Sequence, residues 1–469
     1  MYCFCLSVLL FLTPFEVELS AFETFYLATV KLIAENAAKE FTGEMSSAVL
    51  DALLTNKMKA FELVRVLYSV APVSFVHSQK STLVSTFCAP QEVVTGKELT
   101  MHLVKAAHTA KTVKWPLAPA KKENKLMYYQ TAYNALAEIV MRTQNKIEFY
   151  SGFLFEEHKA RGQLVFERLV DLDHTWIYPV QLDAPSSFVR TNRCLSQGQA
   201  VSDPSNHVLI HSSLSVDASM FSAFSQLPGM LEEVYDGSQQ LTLDKYELPE
   251  MPADLINQNM CMPTLLAVID RIEYYIMSTS KMEEPPLWMV QLLKKMSVDT
   301  HINVRLFVAK LVCNRPGVFS PFANTWTKHF LRLVLDYARF CGNGINLFMV
   351  EMFSVILSWF YPGSQGDILS TAVDPTYSDR AVFSEVFEFL LKNSHEEKTT
   401  NNNLLLLRML VEIWKDHLDV PTQLLYDWLT ESNSPRMNLL GVQVTGMVLV
   451  NEVSGFLDRY MIQLLSHCS

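Results

Sequence analysis

Glycine is scarce in this chain, at 15 residues among 469. The close pair Gly342 and Gly344 stands at a predicted helix junction with no strand before it, so it is not a glycine-rich loop that would cradle a phosphate. A nucleophile elbow, a His-Glu-x-x-His zinc motif and the catalytic-loop and Asp-Phe-Gly motifs of protein kinases are also absent from the sequence. The sequence therefore predicts that this stretch is not an enzyme and uses no cofactor.

Basic residues are fewer than acidic ones, 38 against 49, and the net charge is −11. So acidic a molecule binds polyanions poorly as a whole, and any contact with nucleic acid has to be local. Lysines crowd one interval, 105–125, around Trp115; its candidate contact residues are Lys111, Lys114, Lys121, Lys122 and Lys125. Such a run is more often a solvated helix end than a phosphate contact, and both interpretations stay open at this point.

The eight cysteines are scattered through apolar helical contexts and have no zinc-ribbon spacing. They are interpreted as small core residues of a protein in a reducing compartment. His207 and His211 are four residues apart, as metal ligands can be, but no further ligands accompany them. We therefore expect neither a disulfide framework nor a metal site.

A long apolar run is missing as well. Met1–Phe15 imitates the apolar part of a signal peptide, but it lacks a positively charged start and a clear cleavage site. It is also shorter than the roughly 20 residues that cross a bilayer. A core helix cut by the edge of a fragment or gene model is the preferred interpretation over secretion, and no membrane association is predicted.

Helical periodicity is what the sequence does contain. Between His301 and Tyr361 apolar residues recur at helical spacing in three consecutive runs, separated by turn residues at 314–317 and 342–344. Short links of this kind make neighbouring helices antiparallel. The pattern predicts an all-α fold, an α-solenoid of HEAT-like antiparallel helix pairs. The predicted core residues of this stretch are Phe307, Leu311, Trp326, Leu331, Met352 and Trp359.

Further helices are predicted on both sides of this stretch from the same periodicity. They are Ala21–Ala38, Ser46–Leu54, Lys59–Tyr68, a helix from Thr95 opened by a capping box with Glu98, Leu126–Thr143, Gln163–Leu172, Met262–Met277, Leu287–Met296, Ala381–Lys392, Asn403–Lys415, Thr422–Thr430 and Leu439–Val450. After Pro72 the chain is predicted to be irregular until Thr95.

The helical pattern disappears between residues 183 and 254, where serines crowd a stretch without an apolar stripe that becomes acidic toward its end. Such a segment buries too little apolar surface to offset its ordering entropy. The sequence therefore predicts three parts: an N-terminal helical-repeat block at 1–182, a disordered Ser-rich and acidic insert at 183–254, and a C-terminal HEAT-like block at 255–469. Because the array lacks polar caps, we expect it to be a piece of a longer solenoid.

A colinear series of segments carries a family resemblance. The segments are GKELTMHLVKAAHTA, AYNALAEIV, IEFYSGFLF, FERLVDL, HINVRLFVAKLVCNRPGVFSPFANTW, VEMFSVILSW, RMLVEIWKDHLDVP and GVQVTGMVLVNEV. Together they resemble, from about Gly96 to Val453, the central helical-repeat region of a phosphatidylinositol-3-kinase-related kinase.

The resemblance implies a scaffold segment of a giant nuclear serine/threonine kinase that acts in non-homologous end joining of DNA double-strand breaks. In that family the helical repeats engage the Ku heterodimer and double-stranded DNA ends and carry a distant kinase head. The alternatives are a transport receptor or assembly adaptor built on HEAT or armadillo repeats, and a secreted or membrane-tethered enzyme favoured only by Met1–Phe15.

The resemblance also implies a cluster of autophosphorylation sites in the insert. The family kinase favours Ser or Thr followed by Gln, which makes Ser196, Ser225 and Ser238 the candidate sites, with Ser225 preferred. Chance is the competing explanation, because the same dipeptide occurs at Ser78, Thr143, Ser364 and Thr422. An extended segment offers a kinase its substrate at less cost than a helix does, which favours the insert.

Overall fold

The protein is described by a computed structural model. Its described residues are 19–42, 45–113, 115, 120–158, 162–174, 176–177, 256–276, 284–341, 346–360, 377–395, 399–430 and 434–460. No β-strand occurs in these ranges, and the isolated bridge between His158 and Gln163 forms no sheet. The prediction of an all-α helical repeat is confirmed. The Ser-rich insert at 183–254, predicted to be disordered, lies outside the described residues.

The helices follow one another along the whole described chain. They are α1 (Leu19–Ala38), α2 (Ser47–Val70), α3 (Val73–Val76), α4 (Thr82–Phe87), α5 (Glu98–Thr109), α6 (Lys122–Thr143), α7 (Ile147–Tyr150), α8 (Phe166–Leu169), α9 (Met262–Ile276), α10 (Leu287–Lys295), α11 (Ile302–Asn314), α12 (Pro316–Phe319), α13 (Ala323–Cys341), α14 (Leu347–Phe360), α15 (Tyr377–Lys392), α16 (Thr400–Trp414), α17 (Thr422–Thr430) and α18 (Pro435–Val450). Among the described residues, no helix is long and apolar enough to span a membrane.

The first compact unit comprises the described residues of 1–176 and 255–318. Helix α6 lies at its centre and packs against α2, α5 and α9. Residues 130–137 of α6 are buried without interruption, because neighbours cover the helix on several sides. Helix α11 is buried along its length from Ile302 to Cys313, even at Arg305 and Lys310. Phe307 and Leu311 are fully buried, as predicted.

The second compact unit comprises the described residues of 177–254 and 319–469. Helix α13 packs against α14 and α15, α15 packs against α16, and α17 packs against α18. Trp326, Leu331 and Met352 are fully buried and Trp359 is 7% exposed. The predicted core of both units is therefore confirmed. The division of the chain at residues 183 and 255, made from composition, stays a prediction.

Three local predictions were wrong. Ser46–Leu54 and Lys59–Tyr68 belong to one helix, α2, because the buried Lys57 continues its inward face. The stretch after Pro72 contains α3 and α4, and Ser81 caps α4 by accepting a hydrogen bond from the N–H of Val84 at 3.1 Å. The helix expected at Gln163–Leu172 shortens to α8.

The capping box at Thr95 forms only in part. The carboxylate of Glu98 accepts hydrogen bonds from the N–H groups of Thr95 and Gly96 at 2.6 and 2.9 Å. The hydroxyl of Thr95 also donates to Glu98, at 2.6 Å, instead of accepting from the backbone of the helix. Helix α5 consequently begins at Glu98, and Gly96 supports the turn with a φ of +88°. These bonds lower the pKa of Glu98 to about 2.

Three cysteines of the described part of the chain support the interpretation of cysteines as core residues. Cys88, Cys261 and Cys313 are buried. Burial raises the pKa of Cys261 well above its usual value, which keeps the thiol protonated. These three side chains are therefore inert packing groups.

Candidate functional site

The basic segment predicted to contact phosphate divides into an internal and an external part. Lys111 lies in a 3₁₀ turn at Ala110–Thr112 and is 7% exposed. Its Nζ donates a hydrogen bond to the carbonyl of Phe153. Burial lowers the pKa of Lys111 to about 8, although Glu157 and Glu156 oppose this shift. Lys111 therefore supports the fold and does not belong to a surface patch.

The external part lies at the start of α6. Lys121 and Lys122 are exposed. The ammonium of Lys122 lies 2.9 Å from the carboxylate of Asp173, and both side chains are largely in solvent. Such exposed pairs contribute at most about 1 kcal/mol and yield to a stronger anion. Lys114 lies outside the described residues, so the structure brings Lys121, Lys122 and Lys125 together on one helix end.

Trp115 belongs to an aromatic cluster beside this helix end. Its ring lies 5.2 Å from Phe41 and 5.8 Å from Tyr129, and its indole N–H donates to the Tyr129 hydroxyl at 2.9 Å. Lys125 lies over the Trp115 ring at 4.8 Å, and Arg168 lies over Tyr129 at 4.7 Å. Because cations already occupy these ring faces, the cluster is not a platform for stacking bases.

A buried ionic cluster, which the sequence interpretation missed, lies near Lys111. The side chain of Lys295 is 7% exposed and forms an ion pair with Glu157, whose side chain is 6% exposed. The same carboxylate accepts hydrogen bonds at 2.9 Å from the N–H groups of Val165 and Phe166, at the start of α8. The sequence contained one clue, because Lys295 falls in the apolar stripe of α10 one turn after Leu292.

A pocket of about 260 Å³ opens beside α6 in the first unit, lined by Tyr68, Ser69, Val73, Glu138, Met141, Arg142 and Arg271. Burial raises the pKa of Glu138, and the charges of Arg65 and Arg142 oppose this shift. Arg142 donates to the carbonyl of Ala71 at 3.0 Å, and Arg271 donates to the hydroxyl of Tyr150 at 2.9 Å. The guanidinium groups therefore tie helices together, and nothing in this lining resembles a nucleophile with its base.

Asparagines bind the described chain on both sides of the insert. Asn303 on α11 donates to the carbonyls of Asp171 and His174, each at 2.6 Å, just before the insert. Asn259, just after the insert, donates to the carbonyl of Leu169 at 2.9 Å. The candidate phosphorylation sites Ser196, Ser225 and Ser238 lie between these anchors, outside the described residues.

These features define a class of protein. The described residues form a helical repeat in which the buried polar groups hold helices and loops together, and no cluster of three His, Cys, Asp or Glu side chains among them could hold a metal ion. A helical-repeat scaffold is built in this way.

Comparison with known proteins identifies the family. A family model for the DNA-dependent protein kinase catalytic subunit, CC3, matches residues 4–361, and a model for DNA-PKcs, CC5, matches residues 384–466. The chain belongs to the family of the DNA-dependent protein kinase catalytic subunit. The described residues of the matched regions are mostly helical, and the sequence of these regions holds none of the kinase motifs.

Relatives named DNA-dependent protein kinase catalytic subunit occur in a wide range of organisms. The protein of Mus musculus is 26% identical over 93% of this chain, and that of Gallus gallus is 27% identical over 94%. The protein of Dictyostelium discoideum is 23% identical over 85% of the chain. The chain spans only about a tenth of each relative, 11%, 11% and 10% of their lengths.

Proposed function

We propose that this chain is a scaffold segment of a DNA-dependent protein kinase catalytic subunit that acts in the nucleus in non-homologous end joining. The observation that carries the proposal is the match of two family models, in order, to residues 4–361 and 384–466. The segment is not catalytic by itself. In the complete protein its helical array carries other parts of the kinase and takes part in engaging the Ku heterodimer and double-stranded DNA ends.

The direct contact with DNA in this proposal is a minor one, made by Lys121 and Lys122 at the start of α6. Both are exposed, and the pairing of Lys122 with Asp173 is weak enough to be exchanged for a phosphate. Each phosphate contact contributes about −0.9 to the slope of log affinity against log salt.

Charge reversal tests this contact in the complete kinase with Ku and a DNA end. Lys121→Glu with Lys122→Glu is expected to make the slope about 1 to 2 units less steep. The matched control is Lys80→Glu, which changes an exposed lysine in the loop before α4. An unchanged slope in the double variant means that these lysines form only a solvated helix end.

The second part of the proposal is that the insert is an autophosphorylation cluster at Ser196, Ser225 and Ser238. Two of the competing Ser/Thr-Gln pairs are poor substrates in the described structure. Thr143 lies in the last turn of α6, where its hydroxyl donates to the carbonyl of Ile139 at 2.7 Å, and Thr422 opens α17. A kinase that takes extended peptide has to unfold these helix ends first.

Each phosphate adds about −1.5 to −2 charges at pH 7. Added next to Glu232, Glu233 and Asp236, this charge repels the insert from DNA and loosens the assembly after the ends have been held. Mass spectrometry of the kinase-activated complex, with and without a kinase inhibitor, tests the switch.

We expect inhibitor-sensitive phosphate at Ser225 above all, and none at Thr143 or Thr422. If no such phosphate appears between Ser186 and Ser238, the switch is abandoned while the scaffold assignment stands. The scaffold assignment is tested separately by deleting 19–42 or 434–460 from the complete protein and measuring end joining in cells. Full end joining in both deletions contradicts it.

A further inference from the structure

The pocket beside α6 lies wholly in the first compact unit, and its lining comes from the ends of α2 and α6, the start of α3 and one side of α9. Its volume is about 260 Å³. Most sites for cofactors and drug-sized ligands are larger, at roughly 300–1,000 Å³. A space of this size suits one amino-acid side chain better than a nucleotide.

The hydroxyl groups of the lining are already engaged. The hydroxyl of Tyr68 lies 2.9 Å from that of Thr100, and the hydroxyl of Ser69 donates to the carbonyl of Val66 at 3.0 Å. The other side-chain donors of the lining belong to its two arginines. A guanidinium group donates hydrogen bonds and accepts none. The lining therefore selects a ligand that accepts hydrogen bonds, and a negatively charged one above all.

Arg142, in the last turn of α6, is exposed and is held at one corner of its guanidinium group. One terminal nitrogen donates to the carbonyl of Ala71 at 3.0 Å, and the described structure shows no hydrogen bond from its other nitrogens. A guanidinium group has five N–H donors, and two of them match the two oxygens of a carboxylate. The bond to Ala71 thus fixes the group and leaves it able to bind a carboxylate.

Arg271, on α9, brings a second positive charge to the wall of the pocket. Its Nε donates to the hydroxyl of Tyr150 at 2.9 Å, and a terminal nitrogen donates to Oδ1 of Asn145 at 3.3 Å. These bonds set the orientation of the guanidinium group in the absence of a ligand. Binding then costs less, because a group that is already ordered loses little freedom when the ligand arrives.

Glu138 limits the negative charge that the pocket accepts. Burial raises its pKa, and the charges of Arg65 and Arg142 oppose this rise, which favours the ionised form at neutral pH. The ionised carboxylate cancels one of the two guanidinium charges of the lining. A carboxylate ligand, with one negative charge, balances the other. A phosphate monoester carries about −1.5 to −2 charges at pH 7 and would place the excess beside Glu138.

We propose that this pocket receives the acidic side chain of a glutamate or aspartate from a partner protein, with its carboxylate on Arg142 and Arg271 and its aliphatic part on Met141. Val73 at the start of α3 is 43% exposed, so apolar neighbours of the acidic residue can cover it. The site depends neither on the proposed contact with DNA nor on phosphorylation of the insert. It adds a point of protein binding to a helical repeat, a class whose extended surfaces bind partners.

Methyl NMR of the full 469-residue chain, labelled with ¹³C at the methionine methyl groups, tests the site. Met141 lines the pocket, and Met141→Leu assigns its signal. The probe is glutamate with both main-chain ends blocked, at millimolar concentrations. It is expected to shift the Met141 signal in a saturable way, whereas blocked glutamine, of the same shape without the charge, leaves it in place. No saturable shift with blocked glutamate, or an equal shift with blocked glutamine, overturns the proposal.

Two further probes distinguish the chemistry of the ligand. Blocked phosphoserine carries nearly two charges, and N-acetylvaline carries its carboxylate on the main chain, as the end of a polypeptide does. Both are expected to bind more weakly than blocked glutamate. If either binds as tightly or more tightly, the pocket is not a site for an acidic side chain.

Substitutions separate the pocket from general attraction by charge. Arg142→Gln is expected to weaken the binding of blocked glutamate by about threefold or more, the effect of losing one exposed ion pair. The matched control is Lys146→Gln, which changes an exposed lysine just after α6 and outside the lining, and keeps the wild-type affinity. An unchanged affinity in Arg142→Gln, or an equal loss in the control, overturns the proposal.

A second variant tests the pocket with both arginines in place. Ser69 is exposed at the rim, and Ser69→Phe puts a ring into the space that the acidic side chain would take. Blocked glutamate is expected to shift no Met141 signal in this variant. Binding at the wild-type affinity shows that the probe sits elsewhere and contradicts the site, and this result can be obtained even if Arg142→Gln fails to fold.

Discussion

The ring of Phe330 lies 6.1 Å from the ring of Trp359, at an angle of 34° between their planes. Phe330 is on α13 and Trp359 is on the next helix, α14, and each lies about three turns from the connection between the two. Residues at equal distances from a short connection meet only if the helices are antiparallel. The pair therefore demonstrates, within the second unit, the helix arrangement that short links predict.

Trp359→Ala is expected to lower the free energy of unfolding of the second unit by about 3–5 kcal/mol, because a buried indole is lost and a cavity remains. Denaturant unfolding measures the change. Leu439→Ala is the control, since Leu439 is 57% exposed and its loss is expected to cost under about 0.5 kcal/mol. A loss below about 1 kcal/mol for Trp359→Ala contradicts its place in the core.

The stability of the first unit is expected to rise with pH above about 8. Lys57 is 3% exposed, and burial lowers its pKa to about 8 although Glu40 opposes this. In the unfolded chain its pKa is near 10.5. Between these values the unfolded state binds more protons, so the free energy of unfolding rises by roughly 1–3 kcal/mol. Denaturant unfolding at a series of pH values from 7 to 9.5 measures this rise in the free energy of unfolding.

Lys57→Met is expected to reduce that rise without abolishing it, because burial lowers the pKa of Lys111 in the same unit to about 8 as well. The variant also loses the hydrogen bonds from Nζ to the carbonyls of Ala37 and Lys39, at 2.6 and 2.7 Å, so its stability at pH 7 is not the measure. The control is Lys59→Met, at an exposed position of the same helix, which is expected to keep the wild-type dependence of the free energy of unfolding on pH. If Lys57→Met keeps the wild-type slope of the free energy of unfolding against pH, Lys57 does not cause the rise.

Gly96→Ala is expected to destabilise the first unit by about 2 kcal/mol or more. Gly96 has a φ of +88°, and a Cβ there would lie 2.3 Å from the carbonyl carbon of Ser78, a backbone atom that cannot rotate away. Gly152→Ala is the control, because the nearest atom is the tip of Glu156 at 3.8 Å. Similar melting temperatures for the two variants rule out the strain at Gly96.

Lys295→Met is expected to cost about 3–5 kcal/mol, since it removes the ion-pair partner of the buried carboxylate of Glu157. Adding Glu157→Gln recovers a large part of this loss, because a glutamine removes the charge and still accepts from the N–H groups of Val165 and Phe166. Thermal unfolding of the single and double variants measures the recovery. If the double variant is the less stable of the two, the buried charge is not the cause.

The helices and their buried faces could be predicted from the sequence because apolar periodicity is a local property. Trp326 and Met352 are fully buried, as predicted from the helical spacing of the apolar residues around them. The same reasoning divided α2 in two, because a lysine at position 57 looks polar when its neighbours in space are unknown. The carbonyls that receive Lys57 are at Ala37 and Lys39, at the end of another helix.

The candidate sites depended on contacts that no periodicity encodes. Lys111 was predicted to belong to a basic surface because the sequence around it is basic. In the structure its ammonium group is buried and donates a hydrogen bond to the carbonyl of Phe153, which is distant in sequence. Asn303 resembled an ordinary polar residue of a helix start. Its partners Asp171 and His174 are separated from it by the whole insert, so its role emerges only from the tertiary structure.

The turn at Ser151–Phe155 is a π-helix, closed by a 2.9 Å hydrogen bond from the N–H of Glu156 to the carbonyl of Ser151, five residues back. It holds one residue more than an α-helical turn. Removal of a single residue returns such a turn to α geometry, and because Glu156 after it is extended, no helix follows directly whose register would change. A one-residue deletion is therefore expected to be tolerated at these five positions, while the same deletion in the middle of α6 would rotate its buried face out of the core.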